Sequence, residues 1–195
     1  MRETDPDAGV LEQVGRGDVT GALHQLMRRH GRTLYRYCRE ALRDATRADD
    51  IHQQVFIEAY RDLPCFRGRS TVRAWLFAIA RHRVLDSVRQ HRRAQLHIEE
   101  VEIADLPDPG ASPVESIDDA RLREALIASI RELDERARTA LLLRYQQGFT
   151  FEEMAEICRE TPGTLHARVT RALPLLRARI QSRIGRMACN VDERR

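Results

Sequence analysis

The feature that most constrains this fold is a break in an otherwise helical sequence, at residues 94–120. The segment contains Pro107, Pro109, Gly110 and Pro113 among eight acidic residues and has no Arg. Because prolines end helices and dense negative charge resists burial, such a segment does not join a packed core. On either side, apolar residues recur at spacings of three and four, as on amphipathic helices. The sequence therefore predicts an all-α chain of two small helical domains joined by a flexible acidic linker.

Positive charge is concentrated on both sides of this linker. Residues 67–93 hold eight Arg against a single acid, Asp86, and residues 164–186 hold six Arg and no acid. The formal net charge of +3 hides this segregation. Two basic helical segments joined by an acidic connector indicate two anchors for a polyanion, held apart by a tether that the polyanion repels. Nucleic acid is therefore the first partner to consider.

Other protein classes find little support in the sequence. No apolar run approaches the roughly 18–20 residues that span a bilayer, and the N-terminus lacks the apolar stretch of a signal peptide. The four cysteines lie far apart with no Cys-x-x-Cys pair, which matches neither a zinc knuckle nor a disulfide framework. We therefore expect a cytoplasmic protein with reduced thiols.

Catalytic motifs are also missing from the sequence. It contains no phosphate-cradling Gly loop, no His-Glu-x-x-His and no Gly-x-Ser-x-Gly. His82, His91 and His97 lie close together in sequence, but beside a basic helix end we expect solvated side chains or phosphate neighbours rather than metal ligands. We expect no enzyme activity, no cofactor and no metal.

The first helical part, residues 10–93, begins with an apolar pattern from Ala22 to Leu42, in which Gly31 is a candidate break. Thr46 to Asp49 resembles a capping box that opens the next helix, which Pro64 ends. The apolar stripe of this second helix comprises Ile51, Val55, Phe56, Ala59, Tyr60 and Leu63. Its other side carries a polar ridge one turn long, Asp50, Gln53 and Gln54. A third helix, from about Thr71 to Arg92, is apolar in its first half and basic in its second.

The second helical part, residues 121–183, ends in a short helix, a tight connection and a longer helix. Thr150 to Glu153 is a capping box, and Thr161 can cap the last helix with Pro162 at its first position. The inner face of that last helix is predicted to comprise Leu165, Val169, Ala172, Leu173 and Leu176. With an Arg-rich outer face, this is the layout of a helix-turn-helix DNA reader, although a plain helical hairpin is nearly as common an explanation of the pattern. Residues 184–195 are a C-terminal tail.

Two stretches of the chain resemble a known family. Residues 48–56, Ala-Asp-Asp-Ile-His-Gln-Gln-Val-Phe, and residues 66–81, from Phe-Arg-Gly-Arg-Ser-Thr to Ile-Ala-Arg, resemble region 2 of bacterial sigma factors of the sigma-70 family. Residues 133–172 resemble region 4 of the extracytoplasmic-function group of that family. Two motifs in the expected order make the resemblance specific. It implies a subunit that binds core RNA polymerase and directs promoter recognition, melting of the −10 element and transcription initiation.

The resemblance to region 2 implies roles for particular residues. The Asp50, Gln53 and Gln54 ridge would dock on the clamp helices of the largest polymerase subunit, with Gln54 standing where the family usually has Glu. The loop at 64–71 and the helix after it would open and hold the −10 element. The residues implied in −10 binding are Phe66, Arg67, Gly68, Arg69, Ser70, Thr71, Arg73, Arg81, Arg89, Arg92 and Arg93. Trp75 matches the first of two tryptophans used in strand separation by primary sigma factors, and we expect it to be a core residue here.

The resemblance to region 4 implies that the helix from Thr161 enters the major groove of the −35 element. The residues implied in −35 binding are Thr161, Thr164, His166, Ala167, Arg168 and Arg171. Three residues depart from the family pattern. Arg159 replaces the usual turn glycine, Glu160 replaces a small apolar residue, and Pro174 is expected to kink the helix or end its first segment near Leu173.

The resemblance also implies partners and leaves one alternative open. Core polymerase, through its clamp helices and flap, promoter DNA and an anti-sigma factor are the expected partners, without direct membrane insertion. The alternative is a stand-alone helix-turn-helix transcriptional regulator that does not bind core polymerase. It would leave the Asp50 ridge and the loop at 66–71 without a purpose.

Overall fold

The computed structural model describes the backbone of residues 7–95 and 117–192 and the side chains of residues 7–94 and 122–186. Within these ranges it contains eight α-helices and no strand, in agreement with the predicted all-α class. The helices are α1 Ala8–Gly15, α2 Val19–Leu42, α3 Ala45–Asp62, α4 Val72–Gln95, α5 Ile117–Arg131, α6 Glu135–Leu141, α7 Phe151–Cys158 and α8 Pro162–Asp192. Most of the predicted linker lies outside the described residues.

The first helical unit comprises α1–α4. Helix α2 begins at the capping side chain of Asp18, which accepts a hydrogen bond from Gly21 N at 2.8 Å, and runs unbroken through Gly31. A break at Gly31 is therefore wrong. The residue is buried, and its carbonyl accepts a bond from Nε2 of His52 on α3 at 3.0 Å, so tertiary packing holds the helix at its weakest point.

Helix α3 starts and packs differently from the prediction. Its N-cap is Asp44, whose side chain accepts from Arg47 N at 3.0 Å, rather than a residue of the predicted box at Thr46–Asp49. The buried stripe contains Ile51, Val55, Phe56 and Ala59 as predicted, but Tyr60 is 47% exposed. The prediction was wrong because Tyr60 lies at the edge of the apolar stripe, where a side chain can point either into the core or into solvent.

Helix α1 was not predicted from the sequence. It is held to α2 by Asp7, a buried carboxylate that lies 2.8 Å from Nε2 of His30 and 2.6 Å from Nη1 of Arg29. Burial alone raises the pKa of Asp7, but the bonds from His30 and Arg29 outweigh that effect and hold it below its ordinary value. The hydrogen-bonded ion pairs of Asp7 therefore anchor the start of α1 to α2.

The second helical unit comprises α5–α8. A π-helical segment, Leu142–Gln146, extends α6, and Gly148 at φ +74° turns the chain into α7. Helix α8 continues through Pro174 to Asp192, so it does not end near Leu173, and the predicted tail is helical as far as residue 192. Leu173 itself is 38% exposed, whereas Leu165, Val169, Ala172 and Leu176 are buried as predicted.

The two helical units pack against each other. Phe77 of α4 and Phe149, just before α7, are both fully buried, with ring centroids 5.1 Å apart in an edge-to-face arrangement. Buried residues of both units therefore form one continuous apolar core. The expectation that the units are held apart is not what the structure shows, because apolar side chains of each unit pack against the other.

Candidate nucleic-acid interface

The predicted reader helix, α8, is set by two helix caps. Thr150 and Glu153 form the predicted reciprocal capping box, with bonds of 3.2 and 2.8 Å, and so fix the start of α7. Thr161 Oγ1 accepts from Thr164 N at 3.3 Å and caps α8, with Pro162 at its first position. Both starts agree with the sequence. The two caps therefore fix where α7 and α8 begin, and with that the positions of the outward-facing residues of α8.

The residues predicted to contact the −35 element fall into two groups. Thr161, Thr164, His166 and Arg171 are exposed in the first turns of α8. The His166 ring packs edge-to-face on Phe151 at 5.1 Å, and Arg171 Nε donates to the carbonyl of Ala167 at 3.1 Å. Ala167 is half-buried, and Arg168 is mostly covered. An array of hydroxyl, imidazole and guanidinium groups at a helix start can reach base edges and phosphates in a major groove.

Arg168 lies in an ion pair rather than in solvent. Its Nη1 and Nη2 atoms donate to the two carboxylate oxygens of Glu160, at 3.1 and 2.5 Å. The pair raises the pKa of Arg168 and lowers that of Glu160, because each charge and its hydrogen bonds stabilise the other. Nη2 of Arg81 on α4 lies 3.6 Å from the same carboxylate. Sequence analysis identified Glu160 as a departure from the family but missed this partner role.

The connection between α7 and α8 contains a strained residue. Arg159 has φ +54° and ψ +43°, the left-handed conformation that glycine adopts without a steric penalty. Glycine is the residue expected here from the family pattern, so the turn keeps the usual backbone shape with a less suitable side chain.

The loop predicted to bind the −10 element lies between α3 and α4. Arg67 and Arg69 are exposed, and Gly68 between them has φ +65°. Phe66 is half-buried, with its ring 5.3 Å from that of Trp75. Trp75 packs partly on the core, in agreement with the core role expected for it. Because Gly68 has no side chain, a ligand can approach its backbone closely. The exposed guanidinium groups of Arg67 and Arg69 lie on either side of it in the chain.

The end of this loop and helix α4 carry the remaining predicted −10 residues. Thr71 Oγ1 accepts from Ala74 N at 3.1 Å and so starts α4, and Ser70 before it is half-buried. Arg89, Arg92 and Arg93, at the far end of α4, are exposed, although Arg89 also pairs with Asp86 at 3.2 Å. All three side chains are exposed to a phosphate backbone that passes this end of α4.

Two other predicted DNA contacts, Arg73 and Arg81, lie between the helical units. Arg73 donates through Nη2 to the carbonyl of Gln147, and its guanidinium carbon lies 4.1 Å from the centre of the Phe149 ring. Burial lowers the pKa of Arg73. The structure therefore does not bring all the predicted DNA-binding arginines to one open surface.

The polar ridge on α3 is solvent-exposed, as the sequence indicates. Asp50, Gln53 and Gln54 all point away from the core. The same face continues through Ile57, which is 70% exposed, and Tyr60. Sequence analysis did not predict that these two apolar residues are exposed. The signal was present, because Gln53, Ile57 and Tyr60 are spaced so that they lie on one helix face. The result is a surface with a polar half and an apolar half, typical of a protein-docking site.

The described residues contain no group of three or more His, Cys, Asp or Glu side chains arranged to hold a metal ion. His82 instead lies 3.3 Å from Asp86, and His97 is outside the described ranges. None of the helices in these ranges is long and apolar enough to cross a membrane.

Comparison with known proteins agrees with this two-part layout. Two family models match in order: Sigma-70 region 2 over residues 26–94 and Sigma-70, region 4 over residues 123–176. The RNA polymerase sigma-H factor of Pseudomonas aeruginosa is 31% identical over 180 residues, which cover 88% of this chain and 92% of that protein. The chain belongs to the extracytoplasmic-function RNA polymerase sigma factors. The ECF RNA polymerase sigma-E factor of Haemophilus influenzae is 30% identical to this sigma factor. That match covers 93% of this chain and 98% of the Haemophilus protein.

Solved structures share the fold of this sigma factor. CnrH in complex with the cytosolic domain of CnrY matches with a TM-score of 0.67 and 25% identity, over 91% of this chain and 99% of that one. The sigma factor RpoE of Bartonella quintana, in complex with the anti-sigma factor NepR, matches with a TM-score of 0.70 and 23% identity. This match covers 81% of this chain and 96% of that one. In this sigma factor, the region 2 match runs from within α2 to the end of α4, and the region 4 match from within α5 into α8.

Proposed function

We propose that this sigma factor binds core polymerase through the outer face of α3. Asp50, Gln53 and Gln54 offer hydrogen bonds to the clamp helices of the largest subunit, and Ile57 and Tyr60 add apolar contact area beside them. Gln54 supplies an amide where related proteins usually have a carboxylate, which removes one charge-assisted bond. The exposed apolar pair compensates for that loss.

Promoter recognition is divided between the two helical units. The start of α8 enters the major groove of the −35 element, where His166, Arg168 and Arg171 reach base edges or phosphates and Thr161, Thr164 and Ala167 complete the contact surface. The loop from Phe66 to Thr71 receives an unstacked base of the −10 element, and the arginines of α4 hold the flanking phosphates.

A second docking surface for polymerase lies on region 4. Leu126, Tyr145 and Leu173 are exposed around an apolar groove of about 390 Å³ between α5, the π-helical segment and α8. Its apolar lining suits an apolar helix of the polymerase flap. An anti-sigma factor, the kind of partner bound by the similar RpoE of Bartonella quintana, controls the availability of these surfaces. The protein then has no catalysis of its own and works in the cytoplasm, where the polymerase acts.

The observation that supports this proposal is that one chain has both an exposed face of polar and apolar side chains on α3 and a capped helix α8 with exposed polar side chains. A stand-alone regulator needs only the second of these features.

Promoter-specific transcription with purified core polymerase tests the proposal. The sigma factor should direct initiation from its own promoter, and core polymerase alone should not. A stand-alone regulator would bind the duplex but fail to direct core polymerase, and that outcome would refute the proposal.

A further inference from the structure

The outer side of α2 carries a row of five arginines, outside the surfaces described above. The members of this arginine row are Arg28, Arg32, Arg36, Arg39 and Arg43, the last at the C-cap of the helix. Steps of three or four residues place them on one side of α2, away from its buried apolar residues. At 1.5 Å per residue the row is about 22 Å long. No acid occurs from residue 19 to residue 39, so positive charge dominates this side of the helix.

Within the described residues, the first three members of the arginine row have no anionic partner. Arg28, Arg32 and Arg36 are exposed and form no ion pair there. By contrast, Arg83 on α4 donates from Nε to the carboxylate of Glu58 on α3 at 2.6 Å. Like charges four residues apart on a helix repel one another and destabilise it. A bound polyanion would relieve that repulsion.

The arginine row has no apolar centre, which distinguishes it from a protein-docking surface. Met27 is the one large apolar side chain exposed on α2 within the described residues, at 43%. Because it comes one residue before Arg28, it points about 100° away from it around the helix. The α3 face, in contrast, exposes both Ile57 and Tyr60. Protein interfaces usually have an apolar core, whereas nucleic-acid interfaces are more polar and positively charged. The row therefore fits a phosphate backbone better than a protein.

The C-terminal end of the arginine row meets the basic end of α4. Arg43 and Arg92 line the same cleft of about 280 Å³, together with Arg47, and Glu135 is the acid among its described lining residues. Burial and the neighbouring positive charges of Arg131 and Arg47 lower the pKa of Arg43. Positive charge is thus continuous from the row to α4, where the arginines are proposed to hold phosphates beside the −10 element.

We propose that the arginine row on α2 is a further phosphate-binding surface, which holds the backbone of promoter DNA beside the strand bound by the basic end of α4. The proposal rests on the proposed function, because it extends the DNA path assigned to α4. Contacts from guanidinium groups to phosphates position the DNA and do not read its sequence. The row therefore adds affinity and salt dependence, and leaves promoter choice to α8 and the loop before α4.

A triple variant of the full-length protein tests the arginine row. Arg28→Gln, Arg32→Gln and Arg36→Gln together remove three exposed charges and leave the buried side of α2 unchanged. Because the row is exposed in the free protein, the probe is a pool of random-sequence duplexes of about 40 base pairs, titrated at several salt concentrations. The triple variant should bind more weakly and flatten the plot of log Kd against log salt concentration by about 2–3, since each phosphate contact contributes about 0.9.

Two further triple variants separate phosphate binding from other effects. Lys at the same three positions keeps the charges and should keep the slope of the parent protein. Gln at Arg16, Arg136 and Arg177 removes three exposed charges scattered over α1, α6 and α8, and should leave the slope nearly unchanged. If this scattered variant flattens the slope as much as the row variant does, net charge explains the effect and the proposal is wrong.

The remaining outcomes are equally decisive. A row variant that keeps the slope of the parent would refute phosphate binding by α2. Loss of core polymerase binding with an unchanged slope would make the row a protein-docking surface instead, which also overturns the proposal. Promoter-specific transcription by the parent protein tests the proposed function separately, so failure of the row alone leaves that function intact.

Discussion

Arg138 of α6 donates from Nη1 to the backbone carbonyl of Ala41 in α2, across a distance of 3.0 Å. The same guanidinium also donates to the carbonyls of Ile130, Arg131 and Leu133, at 3.4, 3.1 and 2.8 Å. Burial lowers the pKa of Arg138 to about 10, so the group remains charged at neutral pH. One cation therefore satisfies carbonyls at the C-terminal ends of α2 and α5, where helix dipoles favour positive charge.

Loss of this guanidinium should destabilise the whole fold. In Arg138→Met, the four carbonyls lose the hydrogen bonds from the guanidinium while an apolar side chain of similar length is retained, and we expect the free energy of unfolding to fall by about 2–4 kcal/mol. Urea unfolding measures the change. Arg136→Met, at an exposed position on the same helix, is the control and should change it by less than about 0.5 kcal/mol. Equal stability of the two variants would contradict the bridging role of Arg138.

Replacement of the strained turn residue should stabilise region 4. Arg159→Gly removes the Cβ atom from a left-handed backbone and should raise the free energy of unfolding by about 0.5–1 kcal/mol. Arg159→Ala is the control, since it removes the charge but keeps the Cβ atom. A gain of the same size in both variants would assign the effect to charge rather than to backbone strain.

Acid should weaken the attachment of α1. The pKa of Asp7 lies below its ordinary value of 3.8, so its ion pairs contribute stability that is complete above that value and is lost as the pH falls through the lowered folded-state pKa. Asp7→Asn should therefore lower the melting temperature at pH 6, and its difference from the parent should shrink below pH 4. Glu12→Gln, at an exposed position on α1, is the control. A difference that stays constant down to pH 2 would contradict this linkage.

Substitutions on the α3 face should weaken the binding of core polymerase without unfolding the protein. The double variant Asp50→Arg, Gln53→Arg and the single variant Ile57→Asp should each compete poorly with the parent for purified core polymerase. Because all three residues are exposed, the melting temperature should be nearly unchanged. Glu12→Arg, a charge reversal on α1, should compete normally. If the double variant competes as well as the parent, the ridge is only a solvated helix face.

Arg171 should contribute directly to −35 recognition. Its side chain is exposed at the start of α8, and Arg171→Ala should weaken binding of −35 duplex by about 1–3 kcal/mol if it reads a base. A phosphate contact would instead weaken all duplex sequences about equally and reduce the salt dependence. Arg177→Ala, farther along α8, is the control. Unchanged binding in Arg168→Ala and Arg171→Ala together would exclude α8 as the reader.

Much of the candidate site follows from local sequence. The caps at Thr150 and Thr161, the exposed ridge at Asp50 and the left-handed glycine at 68 are set by residues within one or two helical turns. The departures at Arg159 and Glu160 are visible in the sequence for the same reason. Short-range hydrogen bonds and steric limits act between neighbours in the chain, so the sequence displays them directly.

Contacts between distant parts of the chain were decided only by tertiary structure. Helix α2 continues through Gly31 because His52 packs on it from α3, and Tyr60 turns outward because α3 offers more apolar surface than its neighbours cover. The sequence by itself determined two helical units, their charges and the family to which they belong. It could not show that Phe77 meets Phe149, or that Glu160 holds both Arg81 and Arg168. Such pairings depend on how whole helix faces fit together, which no local periodicity specifies.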